Sequence, residues 1–375
     1  MDSNESDVAD NAAAALAAVA QSREAELVGA VFRNPNDIYA LLTLAMFLTE
    51  QNRDRDAAAV YRQLLSDHPS NGLALVKLGT ILHEYPAFQD EAIELLAKAI
   101  SLNAAAADAY RPLAWTLDQH GRRDEATAVL RAWCVVAPTD PTAAHLLAAY
   151  SDQAVPERAA DAFVEKTFDL AANRFDVHLR EALQYCGPEV LGAHLDAQLP
   201  SASRGTLQVL DMGCGTGLCA PLLRPWAKRL TGVDLSSGML NKARAAGGYD
   251  VLELAELTAY LDAARQSGAS FDVLFAADTL VYFGRLEGLF RRAFAVLNRG
   301  GWLAFTAERL VVPDGGAATR ELLLDTTGRY KHSEHYIRHA LTAAGFLAPI
   351  IVERQVRLES GTPEIALVVA ARKPA

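Results

Sequence analysis

Cysteine is scarce in this chain. Four occur among 375 residues, Cys134, Cys186, Cys214 and Cys219, and no two form a C-x-x-C pair. That argues against a disulfide framework and against a cysteine-rich zinc site. Positive charge is also short, with 35 Lys and Arg against 46 Asp and Glu, a formal net of −11. A non-specific nucleic-acid binder needs a basic stripe to displace counterions, so nucleic acid is not an expected partner. A local basic groove is left open by this argument. Long apolar runs are missing too. None approaches the roughly 18–20 residues that span a bilayer, so no membrane association is expected. The chain opens Met1-Asp2-Ser3-Asn4-Glu5, acidic where a secretory signal is basic. A reducing, cytoplasmic compartment is the default expectation. What the chain does have is a 51% share of hydrophobic residues. At this length that supports more than one core and suggests two domains.

The first half is periodic. Residues 1–33 are rich in Ala, Asp and Ser and read as a disordered or weakly helical segment. From residue 34 to about 150, Leu41, Leu75 and Tyr110 share one register. Leu44, Leu78 and Leu113 follow three residues later, then Ala45, Gly79 and Ala114. The second half of each unit repeats Ala57, Ala92 and Ala126, then Tyr61, Leu96 and Leu130. Pro69 and Pro138 close the first and third units, and Ala104 stands at that point in the second. This spacing resembles the tetratricopeptide repeat, a helix–turn–helix of about 34 residues. The resemblance implies about three repeats and a cap. It also implies a concave face carrying Tyr39, Leu42, Met46, Leu73, Val76, Thr80, Arg111, Trp115 and Asp118. The expected role of that face is a protein partner or self-association.

Residues 151–204 read as a helical connector with candidate helices at 156–168, 174–185 and 188–198. Phe168, Phe175, His178 and Tyr185 there combine aromatic bulk with polar tips. They suit a lid over a ligand and suit a packing seam equally well. From 205 to 375 the pattern changes. Residues 207–212 form an apolar run without helical period, as in a strand buried on both faces. A glycine-rich loop, Gly213-Cys214-Gly215-Thr216-Gly217, follows it, and 218–228 reads as a helix. Further strands are expected at 230–234, 251–255, 271–277 and 302–307. Helices are expected at 237–246, 257–266, 286–297 and 334–344. Residues 350–358 and 365–371 have no helix between them and read as an antiparallel hairpin. Strand–helix alternation predicts a doubly wound, mostly parallel sheet, so the fold class is α followed by α/β.

The glycine loop narrows the ligand. A dinucleotide loop needs Gly or Ala at the third position of G-x-G-x-x-G, where this chain has Leu218. A phosphate-cradling loop needs Gly-Lys-Ser/Thr, which is absent here. The run begins instead with an acid, Asp211, which suits a ligand with a cationic end and no phosphates. The stretches VLDMGCGTG (209–217), TGVDLSSGML (231–240), FDVLFAADTLVYF (271–283) and LNRGGWLAF (297–305) stand in that order. Together they resemble a class I S-adenosylmethionine-dependent methyltransferase, with a Rossmann-like sheet. With the repeats, 172–179 and 328–333, the whole chain resembles a bacterial family of methyltransferases carrying tetratricopeptide repeats.

That resemblance implies S-adenosyl-L-methionine as cofactor. Asp211 and the backbone of Gly213, Cys214, Gly215 and Gly217 would hold its methionine end. Asp234, 21 residues after Gly213, would accept the ribose hydroxyls. Leu235, Met239 and Glu256 would lie near the adenine. Ala277 and Asp278 end the fourth strand, beside the transferred methyl. Cys214 and Cys219 read as small fillers rather than nucleophiles.

Methyl transfer from a sulfonium mainly needs an aligned nucleophile and a dry site. A base is needed only for a protonated acceptor. Asp278, His332 and Tyr282 are the first candidates to orient the acceptor or take a proton, with Glu308, Tyr330 and His335 behind them. Arg309, Arg320 and Arg329 are candidates to recognise an acidic substrate. No metal site is expected, because no His pair at i, i+4 is joined to further ligands. The expected activity is methyl transfer to an O or N acceptor, a small molecule first. Alternatives are a protein acceptor presented by the repeats, and a scaffold that binds cofactor without chemistry. A nicotinamide-dependent oxidoreductase ranks below these because of Leu218.

Overall fold

The structure is a computed structural model that describes residues 3–103, 106–151, 155–171, 183–311, 320–359 and 361–375. The chain divides into two compact units, Met1–Ala143 and Ala144–Ala375.

The first unit is helical among the described residues. Helix α1 (Ser3–Arg33) leads into α2 (Ile38–Glu50), α3 (Asp54–Asp67), α4 (Gly72–Leu82), α5 (Gln89–Leu102), α6 (Ala107–Gln119) and α7 (Arg123–Val136). The N-terminal segment is thus helical, in keeping with the helix propensity of Ala12–Ala15. Neighbours pack in sequence order, α2 on α3, α4 on α5 and α6 on α7. The periodic positions form the core. Leu41, Leu75 and Tyr110 are buried, as are Ala57, Ala92, Ala126, Tyr61, Leu96 and Leu130. Gly79 shows why small residues recur: a Cβ there would lie 2.6 Å from Cγ of Leu96 on α5. Tyr39, Met46 and Leu73 are exposed, whereas Val76 is buried. Ala104 lies outside the described residues.

The second unit follows helix α8 (Pro141–Tyr150), which crosses the boundary between the two. Then come α9 (Asp161–Ala171) and α10 (Gly187–Asp196). Most of the expected helix at 174–185, including Phe175 and His178, lies outside the described residues. Among the described residues the sheet has nine strands: β1 (Leu207–Met212), β2 (Ala227–Asp234), β3 (Val251–Leu254), β4 (Phe271–Ala276), β5 (Leu297–Arg309), β6 (Leu322–Leu324), β7 (Tyr330–His332), β8 (Ile350–Glu359) and β9 (Thr362–Arg372). The order is β3-β2-β1-β4-β5-β7-β6, with β9 antiparallel to β5 and β8 antiparallel to β9. The strands β3, β2, β1, β4 and β5 are parallel. Between them run α11 (Ala220–Leu223), α12 (Ser237–Ala246), α13 (Leu257–Ser267) and α14 (Glu287–Val296), with α15 (Glu334–Ala343) before the hairpin.

Alternation explains the two covered faces. Leu210, Met212, Leu274 and Ala276 join the core that holds Leu257, Leu261, Phe290 and Ile337. Their neighbours Val209, Val273 and Phe275 join the opposite core, with Leu191, Leu195 and Leu223. A strand buried on both faces reads as a continuous apolar run. The chain winds one way through β1, β2 and β3, then returns to β4 beside β1. Ligands bind at such a switch point, outside the carboxyl ends of the strands.

Three expectations need correction. The helix at 218–228 shrinks to α11, because Pro225 cannot donate within a helix, and β2 begins at Ala227. Strand β5 starts at Leu297 rather than at residue 302; its pairing with β4 has a register irregularity between Phe271 and Val273. Strands β6 and β7 escaped the sequence reading, since three residues are too few to display a period.

Candidate functional site

The glycine loop is built for a close approach. Backbone N–H groups of Gly213 and Cys214 both donate to the carbonyl of Val233, at 2.8 and 3.0 Å. This ties the loop to the end of β2. Gly213 has φ +75° and Gly215 φ +53°, a region that side chains rarely enter. A Cβ at Gly213 would meet Oγ1 of Thr279 at 2.4 Å, so the loop packs against the turn after β4. A Cβ at Gly215 would meet nothing within 4 Å. Asp234 clamps the loop from β2: Oδ2 accepts from the N–H of Gly215 and Oδ1 from that of Ser236, both at 2.8 Å. Burial pushes the Asp234 carboxyl upward, and these N–H donors oppose the shift.

A cavity of about 180 Å³ opens above the loop. Of the expected residues, Gly213, Cys214, Gly215, Asp234, Leu235, Glu256, Ala277, Asp278 and Tyr282 line it. Glu256 caps α13, where Oε2 accepts from the N–H of Ala259 at 2.8 Å. Its Oε1 has no hydrogen-bond partner and faces Nη1 of Arg158 at 3.8 Å.

Asp211, Gly217, Met239 and His332, expected at the site, do not line the cavity. Asp211 is fully buried beneath the loop and accepts the hydroxyl of Tyr249 on Oδ2 at 2.6 Å. Burial drives its carboxyl up to about 7, against the pull of that hydrogen bond. Gly217 packs against Ala243 and Tyr249. Met239 is buried at the start of α12, its N–H donating to Oγ of Ser236 at 3.1 Å. His332 is buried, with Nε2 against the carbonyl of Gly284 at 3.0 Å and its ring stacked on Tyr336. Burial lowers it to about 4, so it is neutral at pH 7. Alternation along β7 turns Lys331 toward Glu308 and Glu364, and His332 the other way.

Charged side chains gather at the β4 end of the cavity. Asp278 has φ +57°, a left-handed conformation uncommon outside glycine. Its N–H donates to Oγ1 of Thr306 at 2.8 Å, and its Oδ2 accepts from Nη1 of Arg357 at 2.9 Å. Arg357 is 1% exposed and also contacts Glu308 and Glu359 through Nη2. Arg329 donates from Nη1 to Glu308 at 3.3 Å and to Glu359 at 3.0 Å. Both arginines line the cavity. Burial pushes the carboxyl of Glu308 up, and the two arginines act against that. Tyr282 is pushed up by burial as well, and its ring meets Phe168 edge-on at 5.5 Å.

Arg329, a candidate from the sequence, lines the cavity, and so do Arg357 and Arg158, which do not stand out in the sequence. The pairing of β8 with β9 slips between Gln355 and Arg357, which leaves Val356 as an extra residue. Such a bulge re-aims the following side chain. Both Val356 and Arg357 are buried, so the alternation that would mark Arg357 is broken. Arg309 pairs with Glu353 outside the cavity, Arg320 is exposed, and His335 is exposed on α15. Tyr330 donates to the carbonyl of Pro156. Of the lid candidates, Phe168 and Tyr185 line the cavity.

Residues 210–305 match the family described as methyltransferase domain. The chain is 39% identical over 98 residues to trans-aconitate 2-methyltransferase of Paracidovorax citrulli, covering 26% of this chain and 36% of that protein. It is 29% identical over 171 residues to malonyl-[acyl-carrier protein] O-methyltransferase of Legionella pneumophila, covering 43% and 57% respectively. The chain therefore spans less than two thirds of the length of these curated relatives. Among solved structures, it resembles 1,6-didemethyltoxoflavin-N1-methyltransferase of Burkholderia thailandensis at 22% identity. That match covers 60% of this chain and 94% of that one, with a TM-score of 0.44.

Proposed function

We propose that the second unit is an S-adenosylmethionine-dependent methyltransferase acting on a small-molecule O or N acceptor. The observation that carries this is one cavity lined by the glycine loop, by Asp234 after β2, by Glu256 after β3 and by Asp278 after β4. The residues fit the donor. Gly215 leaves an open position where a Cβ would stand, which suits close approach of a ligand to the backbone. Asp234 keeps lone pairs beyond those used by Gly215 and Ser236, enough to accept ribose hydroxyls. The orphaned Oε1 of Glu256 suits an amino group of the adenine or a second hydroxyl. The match over 210–305 and the methyltransferase names of the relatives support the same chemistry.

When bound, S-adenosylmethionine supplies an electrophilic methyl group on sulfur. The chain's own part is alignment and dryness. Leu235, Val281 and Phe168 provide apolar walls. Asp278 and Tyr282 flank the acceptor. Asp278 orients it, and its carboxylate is itself oriented by Arg357. His332 takes no part in this account.

The first unit fits a tetratricopeptide-repeat array, on the burial of its periodic positions. Its exposed Tyr39, Met46 and Leu73 suit a protein partner or a second copy of the chain. Among the described residues, no helix is long and apolar enough to cross a membrane.

The test is calorimetric titration of the full chain with S-adenosylhomocysteine, for wild type and for Gly215→Val. The reading expects saturable binding that the added side chain weakens at least about tenfold, or about 1.4 kcal/mol. Equal affinity in both proteins would remove the loop from the site.

A further inference from the structure

We propose that the β4 end of the cavity anchors an acceptor carboxylate on the guanidinium of Arg329, and that this carboxylate receives the methyl group. The product would be a methyl ester. This deepens the methyltransferase reading and rests on it.

Arg329 meets Glu308 and Glu359 through one nitrogen, Nη1. Its Nε and Nη2 donate to no carboxylate among the described residues, and the Tyr282 hydroxyl accepts a hydrogen bond from the guanidinium. A guanidinium edge offers two parallel N–H groups that match a carboxylate. Arg357 offers no such edge. Its Nη1 is taken by Asp278, its Nη2 by Glu308 and Glu359, and its Nε by Glu359. The two glutamates hold Arg329 without lining the cavity themselves, so its donors are preorganised. Phe168, Leu183, Tyr185 and Val281 give the rest of the acceptor an apolar surround.

Lys331 is occupied by Glu364 at 3.3 Å. With Asp325 also 4.0 Å from Lys331, the cations Arg329, Arg357 and Lys331 face Asp278, Glu308, Glu359, Glu364 and Asp325, an excess of two negative charges. The donor's sulfonium offsets part of that excess. Anion binding should therefore depend on a cationic donor.

The chemistry agrees. A hydroxyl or ammonium acceptor must lose a proton to a base. Among the described residues at this end, Asp278 is held by Arg357, and burial keeps the phenols of Tyr185 and Tyr282 protonated. A carboxylate is already ionised at neutral pH. One of its oxygens gives a lone pair to the methyl carbon. The C–O bond forms, the C–S bond breaks, and its electron pair stays on sulfur as the thioether. No proton moves.

The test uses the full chain with sinefungin, a donor analogue bearing an ammonium where the sulfonium methyl stands. Benzoate and adipate are the probes, read as thermal shifts against equal chloride, with their amides as neutral controls. Both acids should raise the melt with sinefungin and raise it less with S-adenosylhomocysteine. Arg329→Met should abolish the rise while still binding sinefungin saturably. Arg329→Lys keeps charge without the fork and should retain only part of it. No rise above chloride, or a rise that survives Arg329→Met, would overturn the proposal. A second readout is the label transferred from methyl-labelled S-adenosylmethionine to a small-molecule extract. It should leave as methanol in base; base-stable label would overturn the ester and leave the methyltransferase reading standing. Failure of wild type to bind sinefungin would sink that earlier reading instead.

Discussion

Oδ2 of Asp234 accepts the backbone N–H of Gly215 at 2.8 Å. One carboxylate at the end of β2 thereby shapes the loop after β1 and still faces the cavity. Asp234→Ala should weaken S-adenosylmethionine binding by on the order of 10- to 100-fold, since hydrogen bonds to a charged group contribute about 1.5–3 kcal/mol. Calorimetry on the folded variant measures it. Unchanged affinity would take Asp234 out of the site.

The two leading glycines should differ in what they disturb. Gly213→Ala drives a Cβ to 2.4 Å from Thr279 Oγ1 at φ +75°. It should lower unfolding stability by about 1–3 kcal/mol. Gly215→Ala meets no atom, at φ +53°. It should cost less stability and lose more donor affinity. Urea unfolding and calorimetry of both variants separate the effects; equal losses in both assays would contradict the geometry.

The carboxyl of Asp211 gives a pH prediction. Burial raises it from 3.8 to about 7 in the folded chain. Between those values the folded state holds a proton that the unfolded state has released. Stability should therefore fall as pH rises from about 4 to 7, by up to roughly 1.4 kcal/mol per pH unit. Above 7 this contribution levels off. Asp211→Asn cannot ionise and should flatten that part of the profile. A profile unaltered by the substitution would contradict the assignment.

Much of this was legible because it is local. The run 207–212, the loop at 213–217 and Asp234 lie within one strand–loop–strand stretch, where residue type and spacing report directly on backbone geometry. The terminal hairpin was equally plain, as two apolar runs joined by a short turn. Roles that depend on distant contacts were not legible. Asp211 reads as a ligand for the cofactor in sequence, yet Tyr249, 38 residues on, takes its Oδ2. His332 carries the right chemistry, but its position on a three-residue strand turns it toward Gly284. Arg357 is hidden by a bulge, which shifts the alternation by which an inward side chain is recognised.

The buried cluster predicts a strong asymmetry. Arg357→Met leaves Asp278, Glu308 and Glu359 without their shared partner. Breaking a buried pair by removing one member costs about 3–5 kcal/mol. Adding Glu308→Gln should recover part of that loss, because it removes a buried charge left with Arg329 as its remaining close partner. Urea unfolding of the single and double variants gives the comparison. A double variant no more stable than Arg357→Met would show that the pair is not coupled.

The most direct measurement is a thermal melt of the full chain with S-adenosylmethionine, S-adenosylhomocysteine and NAD in parallel. A ligand at 100 times its dissociation constant adds about 2.7 kcal/mol to the unit that binds it. A rise is expected with the two sulfur ligands and none with NAD. No rise with either sulfur ligand, in protein freed of any carried-over ligand, would contradict it.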